Sequence, residues 1–148
     1  MGKRAATPVR FDERVGERLA SFVAAHPGSS MSSAANRLVD EGLRMSEHPG
    51  VVFRDGPTGR RAGLVGGADA WELVRAVKSA RASEPAISED DVLELVASNT
   101  GLPVRLVRTA VRYWASYPDE VDREIDAAEA AEEAAEAAWR RERRLLAG

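Results

Sequence analysis

The sequence predicts a mainly α-helical protein with one short N-terminal strand, a small helical domain that carries a β-hairpin, and a long C-terminal helix. Three observations support this fold class. Apolar residues recur at helical spacing through most of the chain. Sequences that end helices, His-Pro-Gly twice and Thr-Gly-Leu-Pro once, divide the chain into segments. Alanine fills many apolar positions and aromatic residues are few (three Trp, two Tyr and three Phe), which favours a thinly packed helical core. We therefore expect three parts, residues 1–47, 48–118 and 119–148.

The first part has the order strand, helix, helix. Thr7–Phe11 alternates apolar and polar residues and predicts a strand. Asp12 is placed to cap a helix that ends at the His-Pro-Gly of residues 26–28. Serines between residues 29 and 33 are placed to cap a second helix. The apolar faces that we expect in the core are Val15, Leu19, Phe22 and Val23 on the first helix, and Met31, Ala34, Ala35, Leu38, Val39 and Leu43 on the second.

The predicted strand has no partner strand within the first part. Its backbone N–H and C=O groups need hydrogen-bond partners, and about 40 residues cannot close a core alone. The same strand of a second copy is the simplest partner. The sequence therefore predicts a homodimer, and leaves a higher oligomer open.

The second part begins with a predicted β-hairpin. Val51–Phe53 and Ala62–Val65 predict two strands joined by a turn that contains glycine and proline. The segment Gly56–Arg61 could suggest a phosphate-binding loop, but it lacks the glycine spacing and the Lys-Ser/Thr that follow such loops. A hairpin turn is therefore the preferred interpretation.

Three helices are expected after the hairpin. Asp69 with Glu72 resembles a capping box, and Ser88 with Asp91 predicts the start of the next helix. Gly101 is placed for a left-handed C-cap before the third helix. A helix, a glycine turn and a helix are compatible with a DNA-binding helix-turn-helix, and equally with an ordinary helical bundle.

The third part predicts one long helical arm. Its start is acidic and its end is rich in arginine, an order that complements the helix dipole. The middle is almost only Ala and Glu, which favours a helix but leaves little to bury. Trp139, Leu145 and Leu146 near its end indicate that something covers them. The cover is either a partner, or this protein's own bundle or dimer.

Composition and motifs argue against an enzyme, a metal site and a membrane protein. The chain has no cysteine, which excludes disulfides and Cys-ligated metal sites. It has no apolar run of the roughly 18 residues that a membrane span needs, and its basic N-terminus lacks the apolar stretch of a signal peptide. His26 and His48 both stand in His-Pro-Gly sequences typical of helix ends, and the common catalytic motifs are absent. We expect a non-enzymatic, cytoplasmic protein without a cofactor or a bound metal.

Net charge neither supports nor opposes nucleic-acid binding. The chain carries −3 overall, with +1 in residues 1–47, +1 in residues 48–117 and −5 in residues 118–148. A nucleic-acid surface must therefore be a local patch within the first 117 residues.

The order of elements and short motifs in residues 3–46 resembles the ribbon-helix-helix repressors of the Arc/MetJ/CopG type. The resemblance is carried by Thr7–Val15, Gly28–Ser33 and Leu38–Leu43. It implies that the two strands of a dimer form an antiparallel ribbon in the DNA major groove. Outward-facing strand residues would then contact bases, and the start of the second helix would contact phosphates. The DNA-binding residues implied are Lys3, Arg4, Ala6, Pro8, Arg10, Ser30 and Ser32.

Within this resemblance Arg10 is the best-placed residue for a base contact. Strand alternation puts the odd-numbered residues of Thr7–Phe11 on the core face and Arg10 on the opposite face. A guanidinium can bond guanine O6 and N7 together. Pro8 departs from the family pattern, because proline has no N–H and no polar side chain. Direct readout would therefore rest on Arg10, with Ala6 and Pro8 touching thymine methyl groups.

Residues 48–118 resemble a small helical domain that recurs in bacterial antitoxins. The residues that carry this resemblance are Arg54–Arg61, Thr100–Pro103, Ala110–Trp114 and Tyr117–Glu120. It implies a toxin partner of the PIN-type ribonuclease class. An arginine of the arm could pair with the carboxylates that bind magnesium in such a toxin. The expected partner-binding residues are Trp139, Arg140, Arg141, Arg143, Arg144 and Leu145.

The sequence thus predicts a dimeric DNA-binding antitoxin that represses its own operon and neutralises a toxin through its C-terminal part. Two alternatives stay open. The protein could be a stand-alone transcription regulator whose second domain binds a small molecule or another dimer. It could also be an interaction adaptor that has lost DNA binding, which Pro8 and the net negative charge would favour.

Overall fold

A computed structural model describes residues 5–148, which form six α-helices and one two-stranded sheet. The elements are α1 (Glu13–Ala25), α2 (Met31–Glu47), β1 (Val51–Gly56), β2 (Gly59–Leu64), α3 (Ala70–Ser83), α4 (Glu89–Thr100), α5 (Val104–Ser116) and α6 (Pro118–Ala147). They belong to two compact units, a first unit that ends at Leu43 and a second unit that spans Arg44–Gly148. The coarse prediction, a mainly helical chain with an antiparallel hairpin, is confirmed.

The first unit contains α1 and most of α2, and its helices begin and end where the sequence predicts. Asp12 occupies the N-cap position of α1, although its side chain makes no capping hydrogen bond. Ser30 caps α2, because its hydroxyl accepts the Ser33 N–H at 3.0 Å. In return the Ser33 hydroxyl accepts the Ser30 N–H at 2.9 Å. These reciprocal bonds satisfy one of the backbone donors that a helix start leaves open.

The N-terminal strand is where prediction and structure differ. Residues 5–12 have no regular secondary structure, and the two strands in the described part of the chain follow α1 and α2 rather than precede them. A strand over Thr7–Phe11 is therefore wrong for the single chain. The physical reason is that a strand is stabilised by hydrogen bonds to a neighbouring strand, and this segment has no such neighbour among residues 5–148.

The first unit has almost no core of its own. Of residues 5–43, only Leu19, Ala34 and Glu41 are buried. Half of the ten apolar residues predicted for the core faces of α1 and α2 are exposed instead, among them Val39 (55% exposed) and Leu43 (57% exposed). The periodicity identifies the apolar faces correctly, but a single copy does not cover them.

The predicted hairpin is confirmed. β1 and β2 pair in antiparallel register, from Val51 opposite Leu64 to Gly56 opposite Gly59. Gly59 adopts a φ of +110°, which residues with a Cβ rarely take. The segment after Gly56 is thus a tight turn between two strands and not a phosphate-binding loop.

The capping residues of the second unit also act as predicted. The Glu72 carboxylate accepts the Asp69 N–H at 3.4 Å in a capping box at the start of α3. The Ser88 hydroxyl accepts the Asp91 N–H at 3.1 Å at the start of α4. Gly101 forms the C-cap of α4 in the left-handed conformation, with a φ of +73°.

The main hydrophobic core lies in the second unit, between the hairpin and helices α3 to α6. Its largest fully buried side chains are Leu64, Leu73, Val96, Val107, Tyr113 and Val121. α6 joins this core through its first half. There Asp122 accepts hydrogen bonds from Lys78 at 2.6 Å and from Trp114 at 2.9 Å, and these bonds lower the pKa of Asp122. Within residues 5–148, no helix combines the length and the apolar character that a membrane span requires.

Candidate nucleic-acid and partner interfaces

The extended segment before α1 lies along a groove of the first unit. The groove has a volume of about 560 Å³, and its lining includes Thr7, Val9 and Phe11 of the segment with Met31 and Val39 of α2. Thr7, Val9 and Phe11 line the groove, as the predicted alternation requires, but Ala6 lines it as well, although the alternation places Ala6 on the opposite face. Val9 nevertheless stays 66% exposed, so the groove leaves much of this apolar side chain uncovered.

The residues predicted to contact bases lie in the same extended segment. Ala6, Pro8 and Arg10 are all exposed. Ala6 borders the groove, whereas Pro8 and Arg10 are not part of its lining. Lys3 and Arg4, the other two residues predicted from this segment, lie outside the described residues. Arg10 is thus exposed and lies outside the lining of the groove.

The start of α2 presents two backbone donors. The Ser30 hydroxyl is engaged in the cap, and the Ser32 carbonyl accepts the Asn36 side-chain amide at 2.9 Å. The N–H groups of Met31 and Ser32 have no hydrogen-bond partner within residues 5–148. Both residues are exposed at the positive end of the helix dipole, an arrangement that suits a phosphate group. Ser30 and Ser32 are thus both exposed at this helix start, with the Ser30 hydroxyl engaged in the cap.

The α4–Gly101–α5 pair carries mixed charges where a helix-turn-helix would approach DNA. α5 has three exposed arginines, but the first turn of α4 has three carboxylates. Arg108 Nη2 lies 3.7 Å from a carboxylate oxygen of Asp90. Acidic residues at this position repel the phosphate backbone, and both helices contribute buried residues to the core of the second unit. The geometry favours the ordinary bundle interpretation of this pair.

The hairpin carries an arginine pair that the sequence analysis did not single out. Arg54 and Arg61 are direct cross-strand partners. Both guanidinium groups bind the carboxylate of Asp69, which is only 7% exposed. A Cβ at Gly63 would overlap the Arg54 guanidinium, and one at Gly56 would overlap that of Arg61. The motif therefore holds the hairpin on the start of α3. Its signal in the sequence is that the two arginines are equidistant from the turn.

A second charged network joins the last turn of α2 to α5 and α6. Arg44 donates to the Tyr113 hydroxyl at 2.9 Å and to both carboxylate oxygens of Glu120 at 3.1 Å. The Tyr113 hydroxyl donates to Glu120 at 2.7 Å. Burial, together with the bond to Glu120, raises the pKa of Tyr113 above its ordinary value. The phenol therefore stays protonated and acts as a structural hydrogen-bond donor.

Glu124 of α6 borders a groove of about 330 Å³ whose lining also includes Arg61 and Trp71. One carboxylate oxygen of Glu124 is buried without a hydrogen-bond partner in the described part of the chain. Burial, with the negative charges of Glu120 and Asp69, raises the pKa of Glu124 to about 7. This carboxyl group consequently changes its charge near neutral pH.

The second half of α6 contains the residues predicted to bind a partner protein. Every residue from Glu129 to Gly148 is exposed, and we call residues 129–148 the exposed half of α6. Trp139 is 60% exposed and Leu145 is 82% exposed. Trp139 therefore does not fold back on the bundle of the single chain. The predicted arginines of this segment are Arg140, Arg141, Arg143 and Arg144, of which Arg140 pairs with Glu136 at 2.6 Å.

Both histidines make contacts typical of helix ends. The His26 ring stacks on Phe22 with 4.0 Å between ring centroids, and its Nδ1 lies 2.7 Å from the Phe22 carbonyl oxygen. His48 meets the Tyr113 ring edge-on at 5.5 Å. Residues 5–148 hold no group of three or more His, Asp or Glu side chains that could bind a metal ion. These contacts account for the two histidines in structural terms.

Comparison of this chain with protein-family models, with curated protein sequences and with solved structures finds no match. What the chain does must therefore be inferred from its own surfaces. The two that call for an explanation are the uncovered apolar faces of the first unit and the exposed half of α6.

Proposed function

We propose that the protein is a homodimeric DNA-binding repressor of the ribbon-helix-helix type, in which two Thr7–Phe11 segments pair as an antiparallel ribbon. The observation that carries this proposal is the uncovered apolar surface of the first unit. Large apolar patches on a soluble domain mark interaction sites. Seven large hydrophobic side chains of this unit are at least 36% exposed, namely Val9, Phe11, Val15, Met31, Leu38, Val39 and Leu43.

A second copy suits this surface better than a foreign partner. The first unit has both an unpaired extended segment and an unfinished core, and one two-fold symmetric interface completes both. Ribbon pairing would satisfy the backbone groups of the segment, while the apolar faces of α1 and α2 would be buried against those of the second copy. Each Val, Leu or Phe side chain contributes roughly 1.5–3 kcal/mol when fully buried. Folding of the first unit and dimerisation are therefore expected to be coupled.

Pro8 determines which residues carry the ribbon hydrogen bonds. Proline has no N–H, so the ladder must use the N–H groups of the odd-numbered residues, which point to the other side of the strand. The side chains of Thr7, Val9 and Phe11 also line the groove of the first unit. Arg10 is left on the outer face, where it suits bidentate contact with a guanine in the major groove. The N–H groups of Met31 and Ser32, and the charge of Lys3, suit the flanking phosphates.

In this proposal the protein has no catalytic activity, acts in the cytoplasm and represses its own operon. The test uses a duplex that the full-length parent selects from a random-sequence pool. Arg10→Ala should lose about 1–3 kcal/mol per guanine contact on that duplex, and should keep its affinity for unrelated DNA. Arg112→Ala is the matched control, because Arg112 is an exposed arginine on α5 and should not contribute.

Each other outcome points to a different function. If the parent selects no duplex and shows no salt-dependent binding to DNA, the adaptor interpretation replaces the proposal. If Arg112→Ala loses affinity while Arg10→Ala does not, the DNA surface lies on α5 and the ribbon is wrong.

As a second candidate function, we propose toxin neutralisation by the exposed half of α6. Trp139 and Leu145 are exposed where they would act as anchors on a partner. Arg141 and Arg144 have no ion pair within residues 5–148, and an arginine can pair with the carboxylates that bind magnesium in a ribonuclease. These features support a toxin of the PIN-type ribonuclease class as the partner.

Deletion of residues 137–148 tests the second candidate. The truncated protein should bind the selected duplex as the parent does, but should fail to protect RNA from a ribonuclease toxin encoded beside it. Full protection by the truncated protein would place the partner surface within residues 48–117. A deletion that also abolishes DNA binding would show that the tail supports the fold.

A further inference from the structure

Residues 126–148, which include the exposed half of α6, carry two blocks of opposite charge. The acidic block has five acidic residues and no basic residue, and consists of Asp126, Glu129, Glu132, Glu133 and Glu136. The basic block, residues 139–148, has four arginines and one glutamate. The helix dipole favours arginine at the end of α6 but does not explain the acidic block, because its effect is confined to the first and last turns. α6 begins at Pro118, so the acidic block starts beyond its second turn.

Among the described residues, 5–148, most of these charges have no ion-pair partner. Glu136 pairs with Arg140 at 2.6 Å, and Glu132 pairs with Arg75 of α3 at 2.9 Å. Like charges three or four residues apart, which both blocks contain, destabilise an isolated helix. Seven charged members of the two blocks have no ion pair within the part of the chain that the structure describes, namely Asp126, Glu129, Glu133, Arg141, Glu142, Arg143 and Arg144. The two blocks are therefore open to charges of another molecule.

We propose that this half of α6 pairs antiparallel with the same segment of a second copy. The acidic block is centred near residue 131 and the basic block near residue 142, about 16 Å apart along the helix. A two-fold axis that crosses the helices near residues 136 and 137 sets each block against the opposite block of the other copy. Parallel pairing would set like charges side by side.

The side chains near the axis permit close approach of the two helices. Eight alanines lie between residues 127 and 138, so the helices meet through small side chains. Trp139 and Leu145 lie beyond the axis and are six residues apart, which separates them by about 120° around the helix. Both are exposed in the single chain. One seam between two helices would therefore cover at most one of them, and the pairing rests on the two charged blocks and on the contact of small side chains.

This inference deepens the second candidate function, because it names what covers the exposed half of α6 when no toxin is present. A toxin with an acidic magnesium site would compete with the acidic block for the same arginines. Pairing and toxin binding would then exclude each other. The inference does not depend on the ribbon of the first unit, since it uses other residues.

The absence of cysteine from the chain permits a direct test. Single-cysteine variants of the full-length protein would be oxidised mildly and their covalent dimers quantified. Residues 137 and 138 lie next to the axis, and at least one of Ala137→Cys and Ala138→Cys should link two chains. Ala130→Cys lies far from the axis and should not link to itself. Ser79→Cys, at an exposed position of α3, controls for random collision.

The linkage pattern decides the proposal. Efficient linkage of Ala130→Cys would mean parallel pairing, and no linkage at residues 137 and 138 above the Ser79→Cys level would mean no pairing. Either result overturns the inference. The variants are also made with Val9→Asp, which disrupts the proposed ribbon. If these double variants still form the covalent dimer at higher protein concentration, α6 pairs without dimerisation of the first unit.

Charge reversal supplies an independent readout. Arg141→Glu with Arg144→Glu should abolish linkage at the axis, because each acidic block then meets weakened or reversed charge. Mixing this chain with one that carries Glu129→Arg and Glu133→Arg should restore linkage between the two different chains. Linkage that is indifferent to these reversals would overturn the electrostatic basis of the pairing.

Discussion

Arg54 and Arg61 face each other across the β-hairpin, and both guanidinium groups bind the carboxylate of Asp69. Two like charges at a directly opposed pair of strand positions destabilise a sheet unless a counter-charge joins them. Asp69 supplies that charge from the N-cap position of α3. The pair thereby connects the hairpin to the helical core of the second unit.

Asp69→Asn should lower the free energy of unfolding of the second unit by about 2 kcal/mol, because it removes the charged acceptor of two partly buried guanidinium groups. Asp55→Asn is the matched control. Asp55 pairs with Arg60 on the same hairpin, but its side chain is 69% exposed. Its loss should cost less than about 1 kcal/mol. Urea unfolding measures both values, and equal losses would show that the Asp69 contacts add nothing beyond a surface pair.

The raised pKa of Glu124 makes stability depend on pH. Its folded value of about 7 lies above its ordinary value of 4.5. The folded state therefore binds the proton more tightly than the unfolded state between these values, and stability falls as pH rises from about 4.5 through about 7. Glu124→Gln should behave like the parent near pH 4.5 and be more stable than the parent at pH 8. Glu94→Gln, at an exposed position of α4, should show no such difference.

The two lysines of the chain test phosphate contact. Lys3 lies outside the described residues and is expected to contact phosphate. Lys3→Ala should weaken binding to all duplexes alike and lower the slope of log affinity against log salt by roughly one. Lys78→Ala is the control, because Lys78 binds Asp122 in the second unit at 2.6 Å. This variant should leave the salt slope unchanged. A loss confined to the selected duplex would mean that Lys3 contacts bases instead.

Local signals in the sequence predict the secondary structure well. Ser30, Ser88 and Gly101 take the predicted capping positions because each acts through its own side chain or backbone within one helical turn. The hairpin follows from the turn residues for the same reason. Such features depend on neighbours in sequence, and one chain contains all of them.

Features that depend on distant residues or on a second molecule are harder to predict. Periodicity predicts that Val39 and Leu43 belong to a core, but both side chains are exposed. Helical spacing identifies an apolar face without showing what covers it. The contacts of Arg54 and Arg61 with Asp69 depend on the hairpin register and on where α3 begins, which no single local pattern indicates. The sequence around Glu124 does not indicate its raised pKa, because that pKa depends on burial against other elements.

Sedimentation equilibrium of the full-length protein tests most directly whether the first unit dimerises through the segment before α1. High salt screens the pairing of α6 but leaves the apolar interface intact. Under these conditions the parent should be a dimer and Val9→Asp a monomer with reduced helix content. Val65→Asp, which changes a valine that is 71% exposed in the second unit, should remain a dimer. A monomeric parent with a stably folded first unit, or a dimeric Val9→Asp variant, would contradict this mode of dimerisation.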